Sequence, residues 1–94
     1  MIVVIESGPN TTDGRRGVDI ARSEKDVLVL IQNAVVFACA ELAAGGGPGT
    51  TYVLEEDLRL RGLRAEELDE RIVQIGYPAL VDLLAGDDKV VGAF

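Results

Sequence analysis

Cys39 is the single thiol of the chain, and there is no histidine. A reactive thiol needs a depressed pKa, from a helix N-terminus or an adjacent cation, and access to solvent. Cys39 stands among alanines in the middle of an apolar helical segment, on the side expected to face the core, so a packed, structural role is expected. The alternative reading is a persulfide carrier, with Cys39 accepting and passing sulfur. Without histidine the chain lacks the usual general base and the commonest zinc ligand, which removes Ser-His-Asp and Cys-His hydrolases and zinc-finger classes together. No cofactor and no metal site is expected.

The other chemistry-bearing residues sit at the ends of apolar runs. Glu6 and Ser7 follow Ile2–Ile5, Gln32 and Asn33 follow Val27–Ile31, Glu55 and Glu56 follow Thr51–Leu54, and Gly76 and Tyr77 follow Arg71–Ile75. In an open parallel sheet, ligands gather beyond the carboxyl ends of the strands. Ser7, Gln32, Asn33, Glu55 and Tyr77 are therefore the ligand-binding candidates. Residues 7–14 have the look of a phosphate-cradling loop, but they lack the lysine of a Walker motif and the G-x-G-x-x-G spacing, and three acids lie nearby. An ordinary connecting loop is the expectation. Asp57 and Arg61, four apart, are spaced to pair on one helix face. Asp82, inside Leu80–Leu84, would be costly if buried alone and is expected to face solvent.

These residues need a scaffold. The runs at 2–5, 27–31, 51–54 and 71–75 are continuous and rich in β-branched residues, as suits strands covered on both faces. Between them lie a helix over 11–23, with Thr11, Thr12 or Asp13 as N-cap, and a helix over 34–44 starting from Asn33. A short helix from Glu55 is closed by Gly62, and a last helix runs from Pro78 to Ala85. Residues 89–91 add a short fifth strand. The alternation predicts one α/β domain over residues 1–94, a three-layer α/β/α sandwich around a mainly parallel sheet of four to five strands.

At 100° per residue, the helix after the second strand places Val35, Val36, Cys39 and Leu42 on one face and Phe37 and Glu41 opposite. Phe37, with Ala34, Ala38 and Glu41, would then form an exposed apolar patch and a subunit interface. Composition narrows the partners. Sixteen acidic residues against nine basic ones give a net charge of −7, which repels phosphate backbones and anionic membranes, so no direct nucleic-acid or membrane binding is expected. No apolar run approaches the ~20 residues needed to span a bilayer, and Ile2–Ile5 is too short for a signal peptide. A cytoplasmic protein is expected.

Three stretches carry a family resemblance: Asp26–Val35, Tyr52–Leu63 and Leu80–Leu83, the last followed by Asp87–Val90. With Asp57, Arg61 and Gly62 in step, the chain resembles the DsrE/DsrF/DsrH-like superfamily, specifically its DsrH (TusB) branch. The resemblance implies a small α/β subunit in a cytoplasmic sulfur relay, serving sulfur oxidation or thiolation of the tRNA wobble uridine. It further implies assembly with itself or with DsrE-type and DsrF-type subunits. In such complexes the DsrE-type subunit usually carries the persulfide, and the DsrH-type subunit is often accessory. Cys39 does not match the first-helix cysteine of some DsrH members. The expected role is that of a non-catalytic subunit acting through oligomer assembly; a persulfide-carrying sulfurtransferase or a stand-alone small-molecule-binding module are the alternatives.

Overall fold

The computed structural model of the protein describes residues 2–24, 27–38, 50–68, 72–86 and 89–92. Five strands, β1 (Ile2–Ile5), β2 (Val27–Leu30), β3 (Thr50–Leu54), β4 (Val73–Ile75) and β5 (Val90–Val91), form one sheet in the order β4-β3-β2-β1-β5. Every pairing is parallel, with Ile2 opposite Val27, Val27 opposite Thr50, Tyr52 opposite Val73 and Ile2 opposite Val90. The connecting helices are α1 (Thr12–Glu24), a 3₁₀ helix η1 (Gln32–Ala38), α2 (Glu55–Leu60), a 3₁₀ turn η2 (Ala65–Glu67) and α3 (Tyr77–Ala85).

The apolar runs divide between two cores by strand alternation. Val3, Ile5, Leu28, Leu30 and Val53 point to one face, where Val18 and Ala21 of α1, Leu58 of α2 and four residues of η1 cover them. Ile2, Val29 and Leu54 point to the other, against Leu80 of α3. The chain steps from β1 to β4 in one direction with its helices on the first face. It then crosses back to β5 through α3 on the second, as right-handed crossovers require when the direction reverses.

Local chemistry explains each boundary. Thr11 caps α1: its Oγ1 accepts from the Gly14 N–H (3.0 Å) and donates to the Gly8 carbonyl (2.7 Å). Acidic residues open α2, and its end is a full Schellman closure. Gly62 is at φ +69, its N–H reaches the Arg59 carbonyl (3.1 Å), and the Leu63 N–H reaches that of Leu58 (3.0 Å). Pro78 stands in the first turn of α3, one residue later than expected because the helix begins at Tyr77. Asp82 is exposed, as expected.

The segment after β2 departs from the expectation. It turns with three residues per turn rather than 3.6, beginning with an Ala34 N–H to Ile31 carbonyl bond (3.0 Å). At 120° per residue Phe37 lies over Ala34 and Ala38 over Val35, and all four are buried; Val36 shares the outward side with Asn33. Phe37 is 3% exposed and Val36 43%. The reading of Phe37, Ala34 and Ala38 as an outward patch is thereby corrected: they are core residues packed beneath η1. Glu41 and Cys39 lie outside the described residues.

Candidate functional site

Ile31 donates its N–H to the Ile5 carbonyl (3.0 Å), the last rung between β1 and β2. Beyond it the two chains part. One becomes the loop into α1, the other enters η1, and between them lies a cleft of about 780 Å³ lined by Glu6–Thr11 with Gln32, Asn33 and Val36.

Close packing shapes the loop side of this cleft. A Cβ on Gly14 would lie 2.4 Å from the Gly8 carbonyl oxygen and 2.6 Å from that of Ser7, so the loop seats on α1 only because residue 14 has no side chain. The η1 side is fixed by charge. Gln32 is the single non-glycine residue at positive φ (50°) among the described residues, a conformation that costs on the order of 1 kcal/mol or more. It is held there by Asp57, 7% exposed, whose Oδ2 accepts the Gln32 N–H at 2.7 Å. Such charge-assisted bonds are among the stronger ones in proteins. Arg61 completes the clamp. Its Nη1 stands 3.6 Å from Asp57 Oδ1, while Nε and Nη2 both donate to Asn33 Oδ1 (3.2 and 3.0 Å). Asn33 therefore serves as an acceptor for Arg61 rather than as the helix cap expected of it.

Of the five ligand-binding candidates, the fold brings Ser7, Gln32 and Asn33 together in this cleft. Glu55 lines a separate, smaller hollow with Leu58, Arg59, Leu63 and Gln74, and Tyr77 is exposed on α3, the helix of the other face. Glu6, which stands with Ser7 at the end of the first apolar run, lines the cleft as well, and so do Asn10 and Thr11 from the loop expected to be an ordinary connection. The Asp57–Gln32 bond has a weak signal in the sequence. Asp57 looks like a surface partner of Arg61, and its burial follows only from the packing of α2 on η1. Among the described residues no group of acids or cysteine is arranged to hold a metal ion. No described helix is long and apolar enough to cross a membrane.

A five-stranded, all-parallel α/β sheet with a polar cleft at its carboxyl edge defines the class. Within that class the DsrH-like protein family model matches residues 19–90, and the chain belongs to that family. The solution NMR structure of protein Tm0979 from Thermotoga maritima superposes with a TM-score of 0.69 at 31% identity, covering 94% of each chain. The comparison with curated proteins gives no match. Family membership makes this a sulfur-relay-related protein, of a kind that generally works in complexes with DsrE-type and DsrF-type subunits.

Proposed function

We propose that the chain is a non-catalytic subunit of a DsrH-type sulfur-relay complex and acts by assembly through α3 and the sheet face beneath it. The observation that carries this is the composition of α3. Its nine residues, YPALVDLLA, include one charge, Asp82, so the helix is apolar almost all round, a pattern that belongs to buried helices. Yet Leu80 is its one buried residue. Tyr77 (55% exposed) and Val81 (61%) follow each other at four-residue spacing on its outer side. The same helix leaves Val4, Val27, Ile31 and Tyr52 on its side of the sheet only partly buried. Exposed apolar surface gathered on one helix in this way marks a site of association.

The surface replaces the Phe37 patch as the assembly face. The partners it suits are a second copy of the chain or DsrE-type and DsrF-type subunits. Thiolation of tRNA or sulfur oxidation would be the work of the whole complex, with this subunit completing its architecture.

The test is Val81→Lys. Full burial of a valine side chain is worth about 1.5–3 kcal/mol, so the variant should associate at least about tenfold more weakly, as read by light scattering and by co-purification with DsrE-type and DsrF-type subunits. Its circular dichroism spectrum should match that of the parent. A parent chain that is monomeric at micromolar concentration and retains no such subunit would refute the reading.

A further inference from the structure

The cleft beyond β1 and β2 has the size of a small-molecule site and lies at the edge of the sheet where parallel α/β proteins hold ligands. Among the described residues, Glu6 is the one ionisable side chain of its lining, and the lining holds no lysine or arginine. The guanidinium adjoining it, Arg61, is already engaged by Asp57 and Asn33. An oxyanion entering here would meet a carboxylate with no cation beside it among the described lining residues, whereas an ammonium would find a charge-assisted acceptor.

The Arg61 contacts also orient a donor. With Asn33 Oδ1 accepting two guanidinium N–H groups, the amide NH₂ of Asn33 is not spent on Arg61 and keeps its two donors, and Asn33 lines the cleft. Donation into the carbonyl end of an amide strengthens the N–H groups at the other end as donors. Ser7 and Asn10 add further polar groups to the same lining. The cleft thus combines one anionic acceptor with a polarised neutral donor.

We propose that this cleft binds small amino compounds that carry no carboxylate, in which a primary ammonium stands beside a neutral hydrogen-bond-accepting oxygen, as in the amides of amino acids. The ammonium sits on the Glu6 carboxylate and the oxygen accepts from the Asn33 amide. The net charge of −7 favours the approach of such cations. The inference is separate from assembly, since neither Tyr77 nor Val81 lines the cleft.

The experiment is a titration of the ¹⁵N-labelled full chain, followed by amide chemical shifts, with glycinamide, acetamide and inorganic phosphate in turn. Glycinamide should move the Ser7, Asn10, Gln32 and Asn33 amides saturably, and the Glu6→Gln variant should require about tenfold more of it or higher. Glu6 is exposed, so the variant keeps its fold, which its unchanged remaining spectrum will register. Absence of saturation, equal effects of acetamide or phosphate on these amides, or an unaltered titration in Glu6→Gln would overturn the proposal.

Discussion

Gly14 illustrates how a single residue can carry a meaning opposite to its propensity. In an exposed helix, replacing glycine by alanine gains about 1 kcal/mol, and by that rule Gly14 weakens α1. In the structure the space its Cβ would occupy is taken by the carbonyl oxygens of Gly8 and Ser7, backbone atoms that cannot swing aside. Gly14→Ala is therefore expected to destabilise the protein by about 1–3 kcal/mol, the usual cost of overpacking, as measured by urea denaturation. A gain in stability would mean that the loop does not rest on the helix. Asp57 carries a similar lesson. Its spacing to Arg61 is legible in the sequence, but its bond to the Gln32 N–H joins residues 25 positions apart, and no local pattern reports it.

At the scale of elements, α2 was the most legible part of the chain. Acids at its start, arginine at its end and Gly62 beyond it each answer an unsatisfied backbone group or the helix dipole, and all of these are local requirements. The segment after β2 was the least legible, because an apolar run such as Ala34–Ala40 carries no polar residue to report which helical period it follows. Three residues per turn instead of 3.6 rotated Phe37 from the outer side to the core. Phe37→Ala should accordingly cost about 3–5 kcal/mol, visible as a lowered denaturation midpoint. A variant of undiminished stability that had only lost the ability to associate would restore the interface reading of Phe37.

At the scale of the whole molecule, one face of the sheet is covered by α1, η1 and α2, and the other by α3. An assembly that shields α3 binds the folded chain and not the unfolded one, so the melting temperature should rise with protein concentration. Calorimetric scans over a hundredfold range of concentration will measure this. A midpoint independent of concentration would place α3 in water and count against assembly of the chain with itself.

The chain's order of apolar runs, caps and glycines determined by itself that this is a parallel α/β sheet with polar residues at the strand ends, since periodicity and capping are read over a few neighbouring residues. Tertiary structure alone decided which of those ends meet. Ser7, Gln32 and Asn33 converge while Glu55 and Tyr77 do not, because convergence depends on strand order and on how each connecting helix turns. Those are set by packing between segments distant along the chain, where a change of helical period by a fraction of a residue per turn exchanges a buried side chain for an exposed one.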